Sequence, residues 1–146
     1  MAGIRKGCNG LSTKKKVTMA TGKRKTAKAR VAITDGKGRV RINNVPIHLH
    51  QPQMAREKIM EPIMLSGEYT DKVDVSIHVE GGGTLSQAEA ARMGLAQGLL
   101  KHTKSKRLRS TFIEYDSHML SGDDRRKEPK KFGGPSARTR KQKSYR

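Results

Sequence analysis

Positive charge in this chain is crowded into its two ends, and that decides which part can fold. Residues 1–30 hold ten Lys or Arg and no acid, and residues 122–146 hold ten bases against three acids. The ninety-one residues between them, 31–121, hold twelve bases and ten acids and are nearly neutral. A stretch such as GGPSARTRKQKSYR (133–146), with five bases, no acid and Tyr145 as its one sizeable apolar side chain, buries too little to offset its ordering entropy. One modest core in the middle with two basic arms is the expected organisation.

The net charge of +19 bears on partners more than on fold, and nucleic acid is the first expectation. No run of 18 apolar residues exists to span a membrane, and no secretory leader pattern opens the chain. The single cysteine, Cys8, excludes an internal disulfide framework, so a reducing, cytoplasmic location is the default expectation.

The middle reads as α+β. In KARVAITD (28–35), Val31 and Ile33 alternate with Arg30 and Ala32; RVRIN (39–43) alternates again after a Gly36–Gly38 turn. This pattern predicts a β-hairpin carrying Lys28, Arg30, Arg39 and Arg41 on one face, with no facing acid. A helix is predicted over Met54–Met60, broken or kinked at Pro62. Val73, Val75, Ile77 and Val79 alternate with Asp74, Ser76 and His78, which marks a strand buried on one side. Ser86 and Glu89 suggest a capping box for a long helix. Along that helix Ala88, Ala91, Leu95 and Leu99 fall on one face, and Ala90, Gly94 and Gly98 form a small-residue ridge suited to close packing on a sheet. A shorter helix over Lys106–Tyr115 would turn Leu108, Phe112 and Tyr115 inward.

Gly81, Gly82 and Gly83 stand between strand and helix, where backbone N–H groups attract phosphate, although a flexible turn explains them as well. There is no G-x-x-x-x-G-K-[ST] to support nucleotide hydrolysis. TGKRKTAKAR (21–30) lacks the glycine-rich half of a phosphate loop and precedes a strand. It suits a backbone-contacting arm through Lys23, Arg24, Lys25, Lys28 and Arg30. His48 and His50 lack further ligands for a metal, and no cofactor or catalytic constellation is expected.

TGKRKTAKARVAI, GKGRVRIN, EPIMLSG, VEGGG and the ending GDDRRKEPKKFGGPSARTRKQKSYR resemble the universal ninth-protein family of the small ribosomal subunit, over about residues 17–146. RRKEPKKFGG and QKSYR are similar to its archaeal and eukaryotic branch, and the compact body favours the archaeal form. The basic extension (1–16), with Cys8, lies outside the resemblance, which implies a two-layer α/β body (17–121) with a left-handed βαβ crossover and an extended RNA-binding tail (122–146). It implies a structural constituent of the subunit head, not an enzyme, with ribosomal RNA, neighbouring head proteins and peptidyl-site tRNA as partners and no membrane. Beside the bases named above and Gly82 and Gly83, the tail would meet RNA through Arg125, Arg126, Lys130, Lys131, Arg138, Arg140 and Lys141. Lys143 and Arg146 match the family's tRNA-contacting end. On the residues alone, a DNA-compacting protein and a small phosphate-binding enzyme stay open as alternatives.

Overall fold

The computed structural model describes residues 16–140, 142 and 144. Its elements follow in chain order: β1 (Thr18–Arg24), β2 (Ala27–Asp35), β3 (Val40–Ile42), β4 (Val45–Pro46), α1 (Gln53–Ser66), α2 (Glu68–Asp71), β5 (Val73–Glu80), α3 (Thr84–Thr103) and α4 (Lys106–Tyr115). The strands form one sheet in the order β1-β2-β5-β3-β4. β1/β2 and β2/β5 pair antiparallel, and β5 lies parallel to β3, reached through α1 and α2. One sheet face is buried beneath the helices and the other is open, which makes a two-layer α+β body.

Strand burial follows the alternation. Val31 and Ile33 on β2, and Val73, Val75, Ile77 and Val79 on β5, are all buried. The predicted hairpin partner is corrected. β3 does not pair with β2, because β5 lies between them, and the hairpin partner of β2 is β1. A two-residue period says which face of a strand is buried and leaves its neighbour unspecified. β1 shows no apolar alternation because its inward positions are Ala20 and Gly22.

Those small residues let α3 lie close. A Cβ on Gly22 would come within 2.0 Å of the Ala90 carbonyl oxygen and 2.5 Å of the Gly94 nitrogen. One on Gly94 would meet Val31 Cγ2 at 2.8 Å, and one on Gly98 would meet Ile33 Cδ1 at 2.8 Å. The Ala90–Gly94–Gly98 ridge is therefore the seam between helix and sheet. Leu95 and Leu99, with Phe112 and Leu108 of α4 and Ile59 of α1, complete the core.

Three local expectations differ. α1 runs on through Pro62, which is buried, and ends when the Gly67 N–H reaches the Ile63 carbonyl with Gly67 at φ 49°. Burial of the helix face offsets the one backbone hydrogen bond that proline removes. Tyr115 is exposed, because α4 ends there and the chain turns away at Asp116. α3 begins at Thr84 with Gly83 before it, so Ser86 lies inside the first turn and caps nothing; Glu89 is used elsewhere.

Candidate nucleic-acid interface

On the open sheet face, Lys23 of β1 stands opposite Lys28 of β2, and Arg30 follows two residues on. β5 then presents Asp74, Ser76, His78 and Glu80, and Arg41 lies beyond it opposite Ser76. The expectation of four bases on adjacent strands with no facing acid is thus corrected. Lys28 and Arg30 are separated from Arg39 and Arg41 by a whole strand, a gap of roughly 10 Å. Arg30 Nη2 meets Glu80 Oε1 at 3.0 Å, and Asp74 Oδ1 accepts the backbone N–H groups of Lys37 and Arg39 at 2.9 and 3.0 Å. Lys23, Lys28, Arg39 and Arg41 remain exposed to solvent.

The β1–β2 turn brings two of the candidate motifs together. Lys25 occupies it at φ 52°, beside Thr26. The Gly81–Gly82 segment packs onto the same turn: a Cβ on Gly81 would sit 2.8 Å from the Thr26 carbonyl oxygen, and one on Gly82 would sit 3.0 Å from Ala27 Cβ. Both glycines have positive φ, 74° and 70°. Backbone conformation and close approach therefore require glycine here. Lys23 and Lys25 at this turn are exposed, and Gly83 precedes α3.

Behind that turn lies the root of the tail. The Arg24 guanidinium lies between two acids, its Nε 2.6 Å from Glu89 Oε2 and its Nη1 against Asp123 Oδ2. Backbone pairing of Arg24 with Asp123, in parallel sense, fixes the same junction. Lys58 Nζ holds the other Glu89 oxygen at 2.9 Å. Arg92 joins Glu61 of α1 at 2.6 Å to Asp116 at 2.8 Å, just before the tail. All of these but Glu61 line a cavity of about 230 Å³ that also touches His118 and Arg125.

The titration behaviour follows from this network. Side-chain and backbone hydrogen bonds from Arg125, with Arg24 adding to them, hold the Asp123 carboxyl far below its usual range. Burial pushes Glu89 upward, and the hydrogen bonds from Lys58 and Arg24 more than offset it, leaving it below 4.5. Asp116 is likewise raised by burial and lowered further by the His118 N–H and Arg92, ending below 3.8.

Past the root the chain is exposed and without helix or strand, and it bends over residues 132–138. Arg138 closes a bidentate pair on Glu128, at 2.8 and 2.5 Å, and that contact lowers the Glu128 pKa. Gly133 at φ 94° turns the chain between them, and a Cβ on Gly134 would sit 2.2 Å from the Thr139 carbonyl oxygen. Phe132 projects wholly into solvent. With Asp123 and Glu128 engaged, Arg126, Lys127, Lys130, Lys131 and Arg140 have no acid partner among the described residues. Lys141, Lys143 and Arg146 lie outside the described residues, as does Cys8.

Sequence reading missed Glu61, Arg92 and Asp116, because charged residues on helices and turns usually face solvent. The available signal was Arg92 itself, set among Ala90, Ala91 and Met93. Among the described residues no cluster of His, Cys, Asp or Glu could hold a metal ion. His48 lies in a 3₁₀ turn, Ile47–Leu49, instead of an extended segment. No described helix is long and apolar enough to cross a membrane.

The sequence profile of the family described as ribosomal protein S9/S16 matches residues 22–146. Three archaeal relatives, each described as small ribosomal subunit protein uS9, are similar over most of their length. That of Desulfurococcus amylolyticus is 52% identical over 136 residues, covering 93% of this chain and 97% of the relative. That of Methanothrix thermoacetophila is 49% identical over 131 residues, covering 90% and 99%. That of Halobacterium salinarum is 50% identical over 131 residues, covering 89% and 99%.

Proposed function

The chain belongs to the ribosomal protein S9/S16 family, as a structural protein of the cytoplasmic small ribosomal subunit and not an enzyme, and from that premise we propose how it works there. The body (17–121) docks on ribosomal RNA in the subunit head beside neighbouring ribosomal proteins. The tail (122–146) runs along RNA and reaches peptidyl-site tRNA through Lys143 and Arg146.

The observation that carries this reading is the tail root. Arg24, Glu89 and Asp123 tie a stretch with no core of its own to the body, while two of the tail's three acids, Asp123 and Glu128, are engaged within the protein. The remaining cations, Arg126, Lys130, Lys131 and Arg140, face outward for phosphate, and Lys141 continues the series in sequence. Lys23, Lys25 and Lys28, with the backbone at Gly82 and Gly83, give a second contact beside the root, and Arg39 and Arg41 a third. Arg24, Arg30, Arg125 and Arg138 have acid partners and serve RNA binding by shaping these surfaces. Arginine suits the terminal contact because its fork grips phosphate bidentately and keeps its charge.

The test is reconstitution of small subunits with the wild-type chain or with Lys143→Ala/Arg146→Ala. A charge-assisted contact contributes about 1.5–3 kcal/mol at most, and tRNA has other holds. Normal incorporation with peptidyl-site tRNA leaving several-fold faster is expected. Unchanged dissociation at normal incorporation overturns the tRNA contact, and failure of the wild-type chain to bind the RNA overturns the whole reading.

A further inference from the structure

We propose that the corner between α3 and α4 is a separate RNA-phosphate site on the body, formed by Lys101, Lys104, Lys106 and Arg109. It rests on the reading of this chain as a ribosomal RNA-binding protein.

Charge distribution is the first argument. KHTKSKRLR (101–109) holds five of the twelve bases of residues 31–121; the rest of that stretch has seven bases against ten acids. The corner is thus a concentrated basic patch within a segment that is otherwise slightly acidic. Its cations are exposed, and none of their side chains is ion-paired among the described residues. Elsewhere Arg24, Lys58 and Arg92 are each held by carboxylates.

Shape is the second argument. Lys101, Lys104, Lys106 and Arg109, with Leu100 and Ser105, line an open hollow of about 300 Å³. The four cations converge on one concave place instead of fanning outward along a helix.

The third argument is that these residues contradict local preference. Lys104 caps α3 in the left-handed region, φ 54° and ψ 22°, where glycine is the unstrained choice. Lys106 and Arg107 occupy the first turn of α4, which contains no acid and whose peptide dipoles disfavour cations. Where several local choices oppose the fold together, a binding role is the economical explanation. An anion in the hollow removes the mutual repulsion. A polyanion with spaced phosphates matches four converging bases better than a single carboxylate does.

Position distinguishes the site from the tail root. Lys101 lies twelve residues beyond Glu89 on α3, roughly 18 Å along the helix. RNA contacting both ends of α3 is clamped across the body.

The test uses the full chain and transcribed small-subunit ribosomal RNA of the Desulfurococcus amylolyticus type. Filter binding is measured across salt concentrations for wild type, for Lys101→Gln/Lys104→Gln/Lys106→Gln/Arg109→Gln, and for the charge-keeping Lys101→Arg/Lys104→Arg/Lys106→Arg/Arg109→Lys. With one phosphate per base, the log–log slope should fall by about 3 in the glutamine variant. One protected stretch should also vanish from its hydroxyl-radical footprint, while the charge-keeping variant matches wild type. An unchanged slope and footprint in the glutamine variant overturn the proposal, as does equal loss in both variants. Wild-type chain that fails to bind this RNA removes the preceding functional reading and this one with it.

Discussion

Gly22→Ala should be among the most damaging single-methyl changes available to this protein. The added Cβ would lie 2.0 Å from the Ala90 carbonyl oxygen and 2.5 Å from the Gly94 nitrogen. Ordinary contact begins near 3.4 Å, so about 1.4 Å of separation is needed, and both opposing atoms are backbone. No side-chain rotation can supply it. Either α3 lifts from β1, thinning the contacts of Ala20, Val31 and Ile33, or β1 peels from the sheet and disturbs the Arg24 root. Overpacking typically costs 1–3 kcal/mol, and a backbone-to-backbone clash belongs at about 3. The loss of glycine from the unfolded chain returns only about 0.4–1 kcal/mol. For a body of this size the midpoint should fall by about 10–15 °C, read by circular dichroism melts of the full chain. Gly122→Ala is the control, because nothing lies within 4 Å of its Cβ and its φ is ordinary. Gly94→Ala should fall between them, since its nearest obstacle is a Val31 methyl at 2.8 Å. A Gly22→Ala midpoint within about 4 °C of wild type would refute the close-packed seam.

Two further outcomes can be checked on the same variants bench. Val75→Asp places a charge on the buried face of β5 and should abolish the cooperative melt, whereas Asp74→Ala, which removes the acceptor of the Lys37 and Arg39 N–H groups, should cost about 1–2 kcal/mol and Ser76→Ala close to nothing; melts that rank these otherwise contradict the β5 register. The folded pKa values of Glu89 and Asp116 lie below their ordinary 4.5 and 3.8, so the stability they contribute is present above those values and is lost as pH falls through the depressed ones. Denaturant titrations should be flat from pH 7 to about 5 and decline below 4.5, and Glu89→Gln should shallow that decline; an acid limb unchanged by the substitution would dissociate Glu89 from it.

Burial was legible because it is a local property. Alternation in VDVSIHVE and KARVAITD marks which residues face the helices, and the spacing of Ala90, Gly94 and Gly98 marks the seam. Neighbour relations were not, since β2 and β3 look like a hairpin and only the insertion of β5 separates them. The consequence for the site was direct: the acids Asp74 and Glu80 enter a face that reads as purely basic from its two flanking strands. Arg24 illustrates the same limit. Within TGKRKTAKAR it is indistinguishable from Lys23 and Lys25, yet its side chain reaches Glu89, sixty-five positions away, and Asp123 at the start of the tail.

The Arg24–Asp123 junction also explains why two basic arms at opposite ends of the sequence can serve one partner. Residue 24 ends β1 within the N-terminal basic stretch, residue 123 lies at the start of the tail, and the backbones of the two are paired. Repulsion between arms carrying ten bases each would drive them apart if their roots were free to separate. Asp123 and Glu89 offset that repulsion at the one place where the arms meet, because two carboxylates flank a single guanidinium there. The near-neutral body is thus a rigid spacer that fixes where the positive charge leaves it. In the proposed function, RNA is the polyanion that completes the neutralisation begun at the root.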